Sequence, residues 1–99
     1  MCDLDHFKRL NDTLGHVSGD AALRATADVL RHSVRKADTV CRYGGEEFLV
    51  VLPDTTPDEA TVLATRMFTA VHARGEELGL PVTISIGLTS LRQGDTMES

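Results

Sequence analysis

Two pairs of acidic side chains lie where a metal-binding site could form. Asp3 and Asp5 lie at the end of a segment typical of the tail of a buried strand, and Glu46 and Glu47 lie at the tip of a hairpin formed by two β-rich runs. If the first strand lies beside this hairpin, the four carboxylates converge. Converging carboxylates suit Mg²⁺, and two such ions can activate a hydroxyl and stabilise a pyrophosphate leaving group. A helix-capping Asp5 and a solvated acidic turn are the alternative interpretation.

Groups that can bind a nucleotide follow the first acidic pair. The segment from Asp5 to Lys8 begins a helix, whose free N–H groups and dipole attract phosphate. Asn11 and Asp20 lie near the ends of two consecutive helices. A carboxylate there accepts hydrogen bonds from N1–H and N2–H₂ of guanine, and adenine offers no donor at N1. A solvated lysine, an Asn on a polar helix face and an Asp in a first helical turn are the structural alternatives.

The spacing of apolar residues predicts the elements that must position these groups. A strand tail over 1–4 is followed by helices over about 5–14 and 19–36, strands over 40–43 and 47–52, a helix from 56 to 75 and a strand over 82–89. After residue 91 the sequence is polar and predicts no further element. The order β-α-α-β-β-α-β predicts an α+β fold, in which a ferredoxin-like or palm-type sheet is covered by helices.

Turn and cap signals set the expected ends of these elements. Gly15 and Gly75 are expected to end the first and third helices. The pair Gly44-Gly45 suits the positive-φ positions of a tight hairpin turn. Thr56, followed by Pro57 and Glu59, predicts a capping box at the start of the third helix.

Length and charge restrict the class of protein. The chain has 99 residues, of which 41% are hydrophobic, so it has room for one domain with one modest core. A formal net charge of −5 disfavours a nucleic-acid polymer as partner. Two cysteines are too few for a disulfide framework and fit no zinc pattern. No apolar run is long enough to span a bilayer and no signal peptide is visible, which predicts a cytoplasmic chain, although a longer parent protein could carry a membrane anchor.

The hairpin carries a specific family resemblance. The run Arg42-Tyr43-Gly44-Gly45-Glu46-Glu47-Phe48 resembles the signature loop of the GGDEF domains, the diguanylate cyclases, with Glu in place of the central Asp. Three further segments are similar to family motifs at the expected spacings: residues 3–8, residues 11–16 with Gly19-Asp20, and residues 82–87. The resemblance therefore extends over nearly all of the chain.

The resemblance implies a role for each acidic residue of the hairpin. Asp3 and Glu47 are expected to hold Mg²⁺ (or Mn²⁺), with help from the backbone carbonyl of Leu4. Glu46 is expected beside the metal ions and the attacking 3′-hydroxyl, as a metal ligand or as a general base. Because Glu preserves the carboxylate and is a common family variant at this position, the departure from Asp is not interpreted as inactivation.

The resemblance also assigns the substrate contacts. The backbone of Phe7 and the side chain of Lys8 are expected to contact the triphosphate, and Asn11 and Asp20 to read guanine. The glycines Gly44-Gly45 let the backbone approach the phosphates without a Cβ. The implied reaction joins two GTP into cyclic di-GMP and releases two pyrophosphates. Each domain of a homodimer then holds one GTP, and each 3′-hydroxyl attacks the α-phosphate held by the other domain.

An arginine motif just before the hairpin gains meaning from the same resemblance. Arg35 and Asp38 form an Arg-x-x-Asp sequence, which is common by itself. In this family a motif so placed forms an inhibitory site for cyclic di-GMP, and an arginine fork can grip guanine and phosphate in a bidentate manner. Arg66 matches a secondary arginine of that site in some members, with a solvated helix residue as the alternative.

The family domain is longer than this chain, which implies that some of its elements are missing here. Residues 1–99 are therefore expected to be a partial GGDEF domain that lacks the opening helix, most of the first strand, and the final helix and strand. A sensory or receiver domain is expected before it in the parent protein. A non-catalytic cyclic di-GMP receptor is the main alternative function, and a fragment of another palm-type cyclase or polymerase is a third. Binding without turnover, or no preference for GTP over ATP, would favour these alternatives.

Overall fold

The computed structural model describes residues 1–90 and shows an α+β fold around one antiparallel sheet. The elements follow the chain as β1 (Cys2–Leu4), α1 (Phe7–Leu14), α2 (His16–Ser33), β2 (Thr39–Arg42), β3 (Glu47–Val51), α3 (Pro57–Leu78) and β4 (Ile84–Ile86). The predicted fold class and element order are confirmed. The expectation for the chain after residue 91 lies outside the described residues. No helix in the described part of the chain is long and apolar enough to cross a membrane.

Strand β1, only three residues long, is one of the two central strands of the sheet. The strand order is β2-β3-β1-β4, and every neighbouring pair is antiparallel. Strand β3 therefore lies between β1 and β2, which are joined through the two helices, as in a split β-α-β unit. The arrangement places the residues at the end of β1 between the hairpin on one side and β4 on the other.

Alternation along β1 separates the core from the site. Cys2 and Leu4 are buried at 1% and 3% exposure, whereas Asp3 between them is half-buried on the opposite face. The buried face packs against side chains from all three helices and from two other strands, including Leu10, Leu23, Leu30, Phe48, Met67, Val71 and Ile84. The core is almost entirely aliphatic, and its buried Thr26 hydroxyl is satisfied by donating to the carbonyl of Ala22 at 2.8 Å.

The first two helices form a tighter pair than the sequence predicts. Helix α1 begins at Phe7, after His6 in the left-handed region at φ 53°, so the expected N-cap at Asp5 is wrong. Gly15 ends α1 as predicted, at φ 89°, but it alone separates α1 from α2. Helix α2 therefore starts at His16 instead of Gly19, and it ends at Ser33 instead of Lys36. The early start of α2 follows from Gly15, because its positive φ lets one residue connect the two helices.

Helix α3 begins as predicted and ends later. The Thr56 hydroxyl accepts from the Glu59 N–H at 3.2 Å, and the Thr56 N–H donates to the Glu59 carboxylate at 3.1 Å. This second bond is the main reason that the pKa of Glu59 lies below its usual range. The predicted stop at Gly75 is wrong, because the helix continues to Leu78 and ends at Gly79 with φ 70°. Gly75 is buried, and a Cβ there would lie 2.7 Å from the carbonyl oxygen of Leu80.

Two strand predictions also need correction. Strand β4 covers residues 84–86 only, although the prediction ran from 82 to 89, and Leu88 is 49% exposed. In the hairpin, neither Gly44 nor Gly45 has positive φ, so the tight positive-φ turn is wrong. The loop is longer: the Tyr43 N–H donates to the Glu47 carbonyl at 2.8 Å and encloses three residues. The apolar residues of strand β3 are half-buried, apart from the fully buried Phe48.

Candidate active site

The central feature of the site is a pair of opposed carboxylates. Asp3 on β1 is the direct antiparallel partner of Glu47 on β3. The Leu4 N–H donates to the carbonyl of Glu46 at 3.1 Å, which extends the pairing to the hairpin loop. Directly opposite side chains share one face of a sheet, so the predicted convergence of Asp3 with Glu47 is confirmed in the backbone register. Asp3 Oδ1 is buried and has no hydrogen-bond partner in the described residues.

The hairpin loop is held in shape by Arg42. Its Nε donates to the Gly44 carbonyl at 3.2 Å and its Nη2 to the Gly45 carbonyl at 2.6 Å. A Cβ on Gly44 would lie 3.0 Å from Glu47 Oε1, so the missing side chain leaves room for the Glu47 carboxylate to lie over the loop. Sequence reasoning missed this role of Arg42. A signal was present, since an arginine two residues before a Gly-Gly pair can reach the carbonyls of the turn.

Asp5 does not join the carboxylate pair. Its Oδ2 accepts from the Thr83 hydroxyl at 2.9 Å and its Oδ1 accepts from the Ser85 hydroxyl, while its own N–H donates to the Thr83 carbonyl at 2.9 Å. These partners lie on the β4 side of β1, away from the hairpin. The expected convergence of Asp5 with the hairpin is therefore wrong, because two nearby hydroxyls satisfy its carboxylate instead.

The opposed pair fits a divalent cation that brings other ligands with it. No group of three or more His, Cys, Asp or Glu within residues 1–90 forms a metal cluster by itself. Mg²⁺ is usually held by only one or two protein carboxylates and takes its remaining oxygens from water and phosphate. Asp3 Oδ1, which lies buried opposite Glu47 and has no partner within the described residues, meets that requirement. The Leu4 carbonyl belongs to the same short strand.

The start of α1, which follows β1 after two residues, presents free backbone donors. The first intrahelical hydrogen bond runs from the Leu10 N–H to the His6 carbonyl at 3.0 Å. The N–H groups of Phe7 and Lys8 precede it, so the helix does not use them. Only Asp5 and His6 separate β1 from α1. The Lys8 side chain is exposed, so a triphosphate that binds from solvent can reach it.

The two residues expected to read guanine lie at the junction of α1 and α2. Asn11 is half-buried, and its carboxamide lies against the buried Cα of Gly19, the residue before Asp20. The exposed Asp20 lines a groove of about 460 Å³. This groove follows α2 towards β2, where it includes Arg42 and the buried Phe48. The structure thus packs Asn11 against Gly19, which precedes Asp20 in the chain, and connects Asp20 with the hairpin through one groove.

The Arg-x-x-Asp motif closes the turn after α2. Asp38 Oδ2 accepts from the Arg35 N–H at 2.8 Å and from its Nε at 3.3 Å, and Oδ1 accepts from Nη2 at 3.2 Å. The Arg35 guanidinium also donates to the Pro53 carbonyl at 2.9 Å and the Thr55 hydroxyl at 2.7 Å. The Asp38 side chain is only 1% exposed, whereas that of Arg35 is 57% exposed. Hydrogen bonding to Arg35 lowers the pKa of Asp38, and the same bond raises the pKa of Arg35.

Arg66 lies on helix α3. It is exposed on α3, nine residues after the helix begins, which corresponds to about 14 Å along the axis. Within the described residues it forms neither an ion pair nor a hydrogen bond with Arg35 or Asp38. The expected grouping of Arg66 with the motif therefore stays a prediction.

Comparison with known proteins identifies the family. The chain matches the family described as diguanylate cyclase, GGDEF domain, over residues 1–99. The response regulator PleD of Caulobacter vibrioides is 45% identical over 108 residues, and the match covers 100% of this chain and 23% of PleD. Diguanylate cyclase DgcP of Pseudomonas aeruginosa is 40% identical over 104 residues, covering 100% of this chain and 15% of DgcP. This chain belongs to the GGDEF domain family.

A solved structure supports the same assignment. The crystal structure of diguanylate cyclase SiaD in complex with its activator SiaC, from Pseudomonas aeruginosa, has a TM-score of 0.87 and 39% identity. It covers 96% of this chain and 38% of the SiaD chain. This chain thus spans less than a quarter of the length of the two curated relatives and well under half of that solved chain.

Proposed function

We propose that the protein is a diguanylate cyclase, which condenses two GTP into cyclic di-GMP and releases two pyrophosphates. Membership of the GGDEF family supports the reaction class. The observation that carries the proposal is the register of β1 and β3, which sets Asp3 opposite Glu47. One oxygen of Asp3 is buried there and has no hydrogen-bond partner in the part of the chain that the structure describes. An acidic pair without a compensating cation is unfavourable in a sheet, so its presence favours a cationic ligand.

The acidic residues of the site would bind the metal ion and act on the attacking hydroxyl. Asp3 and Glu47, with the carbonyl of Leu4, would hold Mg²⁺ (or Mn²⁺). When bound, the metal supplies charge neutralisation at the phosphates and lowers the pKa of the attacking hydroxyl. Glu46 lies next in the loop, and its carboxylate is assigned to the attacking 3′-hydroxyl, as a metal ligand or as a general base.

The helix ends position the rest of the nucleotide. The unused N–H groups at Phe7 and Lys8 donate to the triphosphate, and the Lys8 ammonium adds a positive charge. Asp20 accepts from the guanine base, with Asn11 beside it at the junction of α1 and α2. The loop of Gly44-Gly45, fixed by Arg42, keeps the backbone close to the phosphates. Most of the catalytic contribution is therefore positioning and electrostatic stabilisation.

Two further parts of the proposal concern assembly and control. Each domain carries one GTP site, so the reaction requires a homodimer in which the two sites face each other. The Arg35–Asp38 turn, with Arg66 as a secondary contact, is proposed to bind cyclic di-GMP and to inhibit the enzyme. The 57% exposed Arg35 side chain supports this, because its guanidinium is accessible while Asp38 fixes its position.

Turnover by the full-length protein tests the proposal. The protein is incubated with GTP and Mg²⁺, and cyclic di-GMP and pyrophosphate are quantified, with ATP as the matched control substrate. We expect two pyrophosphates for each cyclic di-GMP, and no product from ATP. Binding of cyclic di-GMP by a folded protein that gives no product would instead indicate the non-catalytic receptor. Equal use of ATP and GTP would indicate a different palm-type nucleotidyltransferase.

A further inference from the structure

Gly19 leaves the space in which the Asn11 side chain lies. It is buried in the first turn of α2, where this helix meets the second turn of α1. A Cβ added to Gly19 would lie 2.8 Å from the carboxamide carbon of Asn11 and would also overlap its Oδ1. Real Cβ atoms essentially never approach another heavy atom this closely. The Asn11 carboxamide therefore occupies the volume that any other residue at position 19 would need.

The backbone around this contact is fixed on both sides. The Gly15 N–H donates to the Asn11 carbonyl at 2.8 Å, and the Gly19 N–H donates to the Gly15 carbonyl at 3.1 Å. Since Gly15 alone joins the two helices, they have little freedom to separate. A Cβ at position 19 would therefore move the Asn11 side chain to another rotamer and leave the helices in place.

We propose that Gly19 is a positioning residue for purine recognition: its bare Cα lets the Asn11 carboxamide lie between α1 and α2, next to Asp20. The proposal rests on the proposed function, in which Asn11 and Asp20 read guanine. A glycine inside a helix weakens that helix relative to alanine, so its presence at position 19 calls for a compensating contact. The Asn11 carboxamide is that contact, and Asp20, the residue after Gly19, lines the groove along α2.

The experiment compares Gly19→Ala in two backgrounds of the full-length protein. The variants are G19A, N11A and the double variant G19A/N11A, and G87A is the matched control, because a Cβ there meets nothing within 4 Å among the described residues. The probes are 3′-deoxy-GTP and 3′-deoxy-ATP, which lack the attacking hydroxyl and so report binding without turnover. The carboxamide signals of Asn11, identified by their loss in N11A, are followed by NMR without nucleotide.

We expect G19A to weaken binding of 3′-deoxy-GTP about five- to tenfold, the worth of one hydrogen bond to the base. Binding of 3′-deoxy-ATP stays unchanged, and the carboxamide signals of Asn11 shift. In turnover assays KM for GTP rises while kcat is nearly unchanged, because the base lies away from the reacting atoms. In the N11A background the same substitution has no further effect, and G87A behaves like the wild type.

Other outcomes overturn the proposal. If G19A lowers the affinity for 3′-deoxy-GTP equally in both backgrounds, Gly19 serves helix packing alone. Unchanged carboxamide signals in G19A would show that Gly19 does not position Asn11. If G19A does not fold, the comparison of N11A with G19A/N11A decides, and a further loss of affinity in the double variant contradicts the proposal. Failure of the wild type to bind 3′-deoxy-GTP would contradict the proposed function itself, while the carboxamide signals would still report on the contact.

Discussion

Asp3 and Glu47 face each other across two antiparallel strands, β1 and β3, and the Asp3 carboxylate has one buried oxygen without a hydrogen-bond partner among residues 1–90. Two carboxylates directly opposite each other repel, so the pair does not stabilise the sheet by itself. A cation removes this repulsion and supplies the missing partner at the same time. Under the proposed function, metal binding would therefore offset a cost that this pair imposes on the folded chain.

Asp3→Asn separates the role of the pair in function from its role in folding. In the absence of metal we expect the free energy of unfolding to rise by roughly 0.5 kcal/mol, because the like-charge repulsion is lost. Turnover should fall by about 100-fold or more, since a group that stabilises transferred charge is removed.

Mg²⁺ with GTP should raise the melting temperature of the wild type and not that of D3N. Asp12→Asn, on the exposed face of α1, is the matched control. A D3N variant that keeps its melting shift would contradict the assignment.

Asp5→Ala tests the corrected position of the second acidic residue. The variant loses the hydrogen bonds from Thr83 and Ser85 that join β1 to β4, so we expect it to lower the free energy of unfolding by about 1–2 kcal/mol. Its melting temperature should still rise with Mg²⁺ and GTP, unlike that of D3N. Chemical unfolding and melting curves measure both effects. A stable D5A that no longer responds to the metal would show that Asp5 binds it.

The Arg35–Asp38 turn should give the protein an acid-sensitive term in its stability. Because Arg35 lowers the pKa of Asp38 in the folded state from its ordinary value of 3.8, this contribution is present above that value. It is lost as the pH falls through the lowered folded-state pKa. Asp38→Asn should therefore cost about 1 kcal/mol at pH 7, after allowance for the exposed arginine, and progressively less towards strong acid. Urea unfolding across that range measures the difference; a penalty independent of pH would contradict the explanation.

Arg35→Ala should relieve inhibition by cyclic di-GMP. The guanidinium that would grip guanine and phosphate is removed, so the inhibition constant should rise by about tenfold or more. Initial rates with added cyclic di-GMP measure it, with Arg74→Ala as the control, because Arg74 pairs with Glu77 near the end of α3. Arg66→Ala tests the secondary contact in the same assay. Unchanged inhibition in R35A would place the product site elsewhere.

The fold was largely predictable because its signals are local and periodic. Apolar spacing located three helices and four strands in order, and the capping box at Thr56 and Glu59 marked the start of α3. Glycine was less informative. Gly75 looked like a helix end, yet it lies inside α3 because the chain packs back on it at Leu80, and the true end is Gly79. Such a contact depends on residues that only the folded chain brings together.

The site was predictable only in part. The family resemblance indicated Asp3 and Glu47, and the strand register brings them together. It could not show that Asp5 turns towards Thr83 and Ser85, since these hydroxyls are about eighty residues away in sequence. Nor could the spacing of Asn11 and Gly19 indicate their contact, which depends on the single-residue link between α1 and α2.

The position of the metal tests the central claim most directly. The full-length protein is crystallised with Mn²⁺ and 3′-deoxy-GTP, and the anomalous signal of manganese locates the ion. We expect a peak within roughly 2–2.5 Å of Asp3 Oδ1 and of a Glu47 carboxylate oxygen, with phosphate oxygens completing the shell. Bound nucleotide with manganese away from both carboxylates, or with Asp3 Oδ1 still without a ligand, would contradict the account.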